Sequence, residues 1–306
     1  MLEAVDLSSK PSTQLDCVHR PCILCNSRTN RRFYPKLLSI VKCLSCGFVY
    51  TDPSFTEEGL KKYYSQEYFK STSSDIKGYD DYASDQGNIE DTFGRRLREI
   101  SKKSKVKTGR VLDVGSAMGY FLSAAKKMGW QPTGLEISSF CCEYAQTQFG
   151  IKSYNNFLSK VDLPKNSFEL VTMWDYIEHS LTPREDFNKA IDALTLGGVL
   201  ALTTPDFDSL PRRIFKEKWM GFKEPEHLFY FTRHNLTAYL ESRGMRILET
   251  RYEGKYVSFD FFAQRMKQYS EILGWMFAQL GKIKPIGSFK FFCNPMDIVF
   301  ILAQKK

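Results

Sequence analysis

From residue 110 to residue 205, short apolar runs alternate with stretches of helical periodicity, which predicts strands separated by helices. Arg110 to Val114 is β-branched and apolar apart from Asp113. A turn with Gly115 and Gly119 follows, then a helix-like run through Ala124, Ala125 and Met128. This is the first βα unit of a doubly wound sheet. Gln131 to Glu136 reads as a second strand ending in an acid, and Ser138 suits the cap of the next helix. A third short strand precedes Asn155. Pro164 to Ser167 turns into a buried fourth strand that ends at Trp174-Asp175, and Leu194 to Pro205 gives the fifth, with its turn at Gly197-Gly198. Upstream, Asn88 to Lys103 predicts an amphipathic helix with Ile89, Phe93, Leu97 and Ile100 on one face. Downstream, Thr232 caps a helix to Arg243-Gly244, Met245 to Tyr252 is strand six and Asp297 to Ala303 is the last strand.

Composition narrows the class. The chain has 306 residues, 42% hydrophobic and 25% charged, enough for one large or two modest domains with real cores. No apolar run is long enough to cross a bilayer, and the N-terminus lacks a basic-then-apolar signal pattern, so the expected location is cytoplasmic. Residues 1 to 16 are polar and Ser-rich and predict a loose segment. The net charge of +8 is concentrated at Lys102 to Lys107 and Arg212 to Lys218. These clusters sit beside helix-like segments without an RNA-binding motif, so a solvated basic surface is the preferred reading over a nucleic-acid interface.

The eight cysteines do not predict disulfides in that compartment. Four of them form a doubled knuckle, Cys22-x-x-Cys25 and Cys43-x-x-Cys46, with 17 residues between the pairs. Two such knuckles make a closed tetrahedral thiolate site, which predicts a structural zinc ribbon. Cys17 and His19 lie nearby and are read as bystanders.

The glycine turn decides the cofactor. A dinucleotide loop needs G-x-G-x-x-G to seat a pyrophosphate, but here Ala117 and Tyr120 occupy the second and third glycine positions. Asp113, Gly115 and Gly119 instead give Asp-x-Gly-x-x-x-Gly, which resembles motif I of class I S-adenosylmethionine (SAM)-dependent methyltransferases. Leu163-Pro164-Lys165-Asn166-Ser167-Phe168-Glu169 and Glu178-His179 also resemble that family's entry to strand four and the residues after it. The likeness spans residues 108 to 206 in order. It implies a seven-stranded Rossmann-like α/β sheet whose last strand is antiparallel and inserts between strands five and six. It also implies that SAM, or S-adenosylhomocysteine as product, is bound by Asp113, Gly115, Ser116, Ala117, Gly119, Tyr120, Phe121, Glu136, Ile137, Asn156, Phe157, Trp174, Asp175 and Tyr176. In the family the acid at the Asp113 position anchors the ammonium. Glu136, 21 positions after Gly115, is placed to accept from ribose hydroxyls. Adenine contact falls to Phe157 by stacking or to Asn156.

A zinc ribbon ahead of such a domain is a common arrangement, giving an N-terminal segment and ribbon at 1–55 and a methyltransferase domain at 56–306 with a substrate-side insertion at about 207–231. Glu57 to Phe69 reads as a helix rich in tyrosines. Tyr63, Tyr64, Tyr68 and Phe69, joined by Tyr79 or Tyr82, are either packing against the ribbon or a lid over the substrate. Phe262, Met266, Tyr269, Leu273, Met276 and Leu280 form an apolar stripe, flanked by Arg265 and Lys267. It reads as a helix packed on the domain, with a weak lipid-surface contact as the alternative.

Methyl transfer to a hydroxyl or an acidic carbon needs a positioned base. The candidates are His227 supported by Glu226, and His179 beside Glu178. The Glu226-His227 pair resembles zinc-ribbon sugar C-methyltransferases, in which such a histidine is the proposed base. Those enzymes carry a further C-terminal domain, whereas this sequence stops soon after its last strand. The expected activity is methylation of a small-molecule, glycan or lipid-linked acceptor. The alternatives are an RNA methyltransferase that uses the ribbon for its substrate, or a non-catalytic SAM-binding scaffold. Against nucleic acid, the Asn-Pro-Pro-Tyr loop of base-amine enzymes is replaced by Trp174-Asp175-Tyr176-Ile177. Thr204-Pro205-Asp206 also lacks the cysteine nucleophile of base carbon-5 enzymes.

Overall fold

The computed structural model describes residues 16–37, 39–65, 68–69, 86–283 and 287–306; Tyr79, Tyr82 and the N-terminal Ser-rich stretch lie outside them. The ribbon begins with β1 (Cys17–Val18), which pairs with β5 (Ser54–Phe55). Between them β2 (Asn30–Arg32), β3 (Ile40–Cys43) and β4 (Val49–Thr51) form an antiparallel three-stranded sheet. Helix α1 (Glu57–Tyr63) starts at Thr56, whose hydroxyl accepts from Gly59 N, and closes at Tyr64. The tyrosine-rich stretch is therefore not one helix to Phe69.

The main sheet has seven strands. β6 (Arg110–Val114), β7 (Gln131–Leu135), β8 (Ser153–Tyr154), β9 (Phe168–Trp174) and the start of β10 (Leu194–Pro205) come in βα succession. Helices α3 (Tyr120–Lys127), α4 (Ser139–Phe149) and α5 (Pro183–Ala193) follow β6, β7 and β9, a short 3-10 turn (Leu158–Lys160) links β8 to β9, and α2 (Gln86–Ser104) precedes β6. After β10 come α6 (Leu210–Phe215), α7 (Arg233–Ser242) and β11 (Met245–Tyr252), and β14 (Ile298–Lys305) ends the fold. The spatial order is β11-β14-β10-β9-β6-β7-β8, with β14 antiparallel between β10 and β11 as the resemblance implied. The Gly197-Gly198 turn lies within β10, at the register shift between Leu194 and Val199.

Alternation along the strands sends side chains to two cores. Leu112, Val114, Val171, Met173, Leu200, Leu202 and Ile301 face one core, while Val111, Leu170, Val199, Ala201, Phe300 and Leu302 face the other. The second core is covered by α2 and α3 through Leu97, Ile100, Phe121, Leu122 and Ala125. The first continues into the ribbon through Val41, Phe48, Tyr50 and Phe55, so ribbon and sheet share one apolar interior.

The connection at 207–231 is not an open loop. It carries α6, then returns along the ribbon: Thr51 N donates to Leu228 O at 2.9 Å, Tyr230 N donates to Val49 O at 3.2 Å, and Tyr50 bridges Phe229. Trp219 is fully buried with Ile40, Val49 and Tyr230, and its indole N–H donates to Asp297 at 2.8 Å. The apolar stripe near the C-terminus breaks at Ser270 into two packed helices, α8 (Phe259–Tyr269) and α9 (Glu271–Gly281). They are preceded by β12 (Lys255–Ser258), which pairs with β13 (Lys290–Cys293). Ile272, Trp275 and Met276 on α9 are exposed. No described helix is long and apolar enough to cross a membrane.

Candidate active site

The carboxyl ends of β6, β7 and β9 open into a cavity of about 720 Å³. Its floor is built from Gly115, Ala117, Glu136, Ile137, Phe157, Trp174, Asp175 and Tyr176. Gly115 has φ +75° and leaves no room for a side chain, because a Cβ would come within 2.7 Å of the Tyr176 ring. Ala117 and Asp175 also hold left-handed backbone, φ +43° and +47°, the kind of local strain that collects at binding sites. Asp175 is fixed by Thr203, whose hydroxyl donates to its carboxylate at 2.8 Å and whose carbonyl accepts from its N–H at 3.0 Å.

Glu136 faces the cavity with its carboxylate held by two amides, Ala117 N at 2.9 Å and Ser138 N at 2.8 Å. Burial pushes its carboxyl above the usual range, and the amides oppose that shift. Asn155 ties the neighbouring loop down by donating to Glu136 O and Ile137 O, each at 3.0 Å. Asn156 accepts from Phe157 N at 3.0 Å, and the Phe157 ring is the one that lines the cavity. Asp113 lies beneath this floor: it is buried and accepts from Thr172 Oγ1 at 2.6 Å. Burial pushes its carboxyl up to about 8. Ser116, Gly119, Tyr120 and Phe121 form the turn and helix start below the cavity surface; Gly119, at φ +82°, brings α3 close to Ala145.

The opposite wall holds Tyr64, Tyr68, Phe69, Glu178, His179, Glu226 and His227. The two histidines meet edge to face with ring centroids 4.6 Å apart, although 48 positions separate them in sequence. Each has its Nδ1 beside a backbone carbonyl: His227 against Gly221 O at 2.8 Å, His179 against Glu226 O at 2.9 Å. A carbonyl only accepts, so Nδ1 carries the proton in both rings and Nε2 is left with its lone pair. Tyr64 OH lies 2.9 Å from the same His179 Nδ1. Burial lowers both imidazoles, His179 to about 4, and so keeps them neutral. The Glu226 carboxylate does not hold the His227 ring; it accepts from Tyr63 OH at 2.8 Å and Tyr68 OH at 3.1 Å. Glu178 accepts from Thr204 Oγ1 at 2.8 Å, and burial, with Asp175 nearby, pushes it up to about 8.

A third side of the cavity was not foreseen from sequence. Arg96 of α2 is buried there with its guanidinium over the Trp174 ring at 4.9 Å, and Phe261, Phe262 and Arg265 of α8 close the rim. The available signal was an arginine set beside the apolar stripe of Phe93, Leu97 and Ile100 on the same helix.

In the ribbon, Cys22, Cys25, Cys43 and Cys46 converge, with sulfur atoms 3.6 Å (Cys22 to Cys46) and 3.5 Å (Cys25 to Cys43) apart. All four are free thiols, and these separations are far beyond a disulfide bond.

A parallel sheet with an antiparallel strand inserted beside the last crossover, and a cavity at its carboxyl edge walled by Glu136, defines a SAM-dependent methyltransferase fold. The chain belongs to the family described as "Methyltransferase domain", which residues 86–250 match. Among solved structures, it is similar to a SAM-dependent methyltransferase from Archaeoglobus fulgidus, at 17% identity over 73% of this chain and 99% of that one, with a TM-score of 0.50. It is also similar to an S-adenosylmethionine-dependent methyltransferase from Clostridium acetobutylicum, at 11% identity over 71% and 92%, with a TM-score of 0.50. These likenesses concern the fold. No curated protein matches the chain.

Proposed function

We propose that this methyltransferase acts on a hydroxyl or an acidic carbon of a small-molecule, glycan or lipid-linked acceptor held between the cofactor floor and the histidine wall. The observation that carries this reading is the pair of buried, neutral imidazoles whose Nε2 lone pairs remain available beside the cavity. The residues fit the cofactor: Glu136 offers a carboxylate to a ribose diol, Phe157 an aromatic face, and the turn at Gly115 and Ala117 bare backbone. When bound, SAM supplies an electrophilic methyl group. On the protein side, His227 or His179 takes the acceptor proton at Nε2, and Tyr64 and the two carbonyls hold the rings in the tautomer that can do so. The aromatic wall of Tyr64, Tyr68 and Phe69 excludes water.

The four ribbon thiols bind one structural zinc in this reading. A tetrahedral ion with bonds of about 2.3 Å spaces its sulfurs roughly 3.8 Å apart, close to the separations in the ribbon. The test of function is turnover: purified protein with SAM and a panel of sugar, polyol and phenol acceptors should form S-adenosylhomocysteine with at least one. His227→Ala should lower that rate by ~10²–10⁴-fold while SAM affinity stays unchanged. Unaltered turnover in both His227→Ala and His179→Ala would remove the imidazoles from the chemistry.

A further inference from the structure

We propose that Glu178, His179 and His227 form a second metal centre, a three-ligand site for a divalent transition-metal ion on the acceptor side of the cavity. One ligand atom from each lies within 4.8 Å of the other two, and Glu178 Oε1 stands 4.0 Å from His179 Nε2. An ion bound at about 2.1 Å from each needs ligand atoms roughly 3–4 Å apart, a closure of tenths of an ångström to about one ångström that side-chain rotation supplies.

Three further features of the same residues favour an ion. First, both Nδ1 atoms are committed to carbonyls, Gly221 O at 2.8 Å and Glu226 O at 2.9 Å. That arrangement typically orients metal-bound histidines and leaves only Nε2 to coordinate. Second, Glu178 Oε1 is buried without a hydrogen-bond partner, while Oε2 takes Thr204. A buried carboxylate oxygen left bare is costly, and a cation satisfies it. Third, the site is held together by backbone: Glu178 O accepts from Leu228 N at 2.7 Å and from Phe229 N at 3.2 Å. The two segments that carry the ligands are therefore fixed against each other by the fold. Around them Asp175 and Glu226 act as further negative charges, against Lys223 as the nearby cation.

Two imidazole nitrogens and one carboxylate oxygen favour manganese, iron, cobalt or zinc over calcium or magnesium. The remaining coordination positions open onto the cavity, which suits an acceptor with neighbouring oxygens, such as a vicinal diol or a hydroxy-carbonyl compound. This assignment deepens the methyl-transfer reading: with an ion present the imidazoles serve as ligands, and their place as proton acceptors passes to groups around the ion. Only the choice of acceptor rests on that reading; cation binding does not.

The test is to titrate the full-length, zinc-loaded protein with Mn²⁺, followed by electron paramagnetic resonance, and with Co²⁺, followed by visible absorption. The ribbon is already filled and thiolate-rich, so a new site without thiolate charge-transfer bands reports on the cavity. The expected result is one additional ion per chain, with affinity lowered about 10-fold or more in both Glu178→Gln and His227→Gln. Glu178→Gln keeps an acceptor for Thr204, and unchanged thermal unfolding would show that it folds. Absence of Mn²⁺ and Co²⁺ binding at millimolar concentration, or equal binding by both variants, overturns the proposal. SAM calorimetry on the same samples separates the two ideas. SAM binding without a second ion defeats the metal site alone, whereas no SAM binding defeats the methyltransferase reading.

Discussion

The phenol of Tyr63 donates to the Glu226 carboxylate at 2.8 Å, joining the end of α1 to the 207–231 stretch across 163 residues of chain. Tyr68, itself buried, donates to the other oxygen at 3.1 Å. Glu226→Leu removes the acceptor of both phenols at once. A buried phenol that loses its acceptor costs about 1–3 kcal/mol, so urea unfolding should show a loss in that range. Glu226→Gln keeps one carbonyl acceptor and should lose less. Equal stability of the leucine variant and the parent would show that the phenols find other partners.

The ribbon should carry close to one zinc per chain in metal analysis of protein purified without chelator. Cys43→Ser should lower both zinc content and unfolding temperature, because Cys43 lies in the core that ribbon and sheet share. Protein with no bound metal and a normal unfolding temperature would refute a structural role for zinc.

Glu136→Ala should weaken SAM binding by about 1–3 kcal/mol in calorimetry, the usual loss when hydrogen bonds to a charged group vanish. Ala117 N and Ser138 N also lose their acceptor in this variant, so a glutamine variant serves as control for the turn itself. An unchanged dissociation constant in both would take Glu136 out of the cofactor contacts.

Asp113 gives the fold a pH dependence of predictable sign. Its folded carboxyl is raised by burial to about 8 from an ordinary 3.8. The folded state therefore holds a proton that the unfolded chain has released. This contribution is complete below the ordinary value and is lost as pH rises through about 8. Unfolding temperature should fall between pH 6 and pH 9, and Asp113→Asn, which keeps an oxygen for Thr172, should flatten that slope. A steeper slope in the variant would reverse the assignment.

Legibility from sequence followed how local each cause was. The strands around Asp113 and Val171 were readable because they are buried runs bounded by glycine or proline turns. The doubled Cys-x-x-Cys was readable because each knuckle is contained in one short spacing. The Thr232 cap was likewise readable within one turn of helix, and the structure adds Asn235 as its capping-box partner. What sequence did not reveal were relations between distant segments. Glu226 sits next to His227 in the chain, yet its carboxylate serves Tyr63 and Tyr68, while its backbone carbonyl holds His179. The stripe from Phe262 to Leu280 has continuous helical spacing, but the chain is extended at Ser270 and folds into two helices. The 207–231 stretch read as a substrate-side insertion, but its pairing with the ribbon was hidden because that partner lies about 180 residues upstream.

The bridge from Tyr50 to Phe229, with Trp219 wedged beside Ile40 and Val49, clamps to the ribbon the same stretch that lends Met220, Gly221, Glu226 and His227 to the cavity wall. In the proposed reading the cofactor lies on the side made by the sheet, and the acceptor meets the side that includes this loop. Exchanging residues 16–64 together with 207–231 as one cassette between related enzymes should therefore transfer acceptor choice, whereas grafting the loop without its ribbon should yield a protein that keeps the cofactor and has lost its substrate.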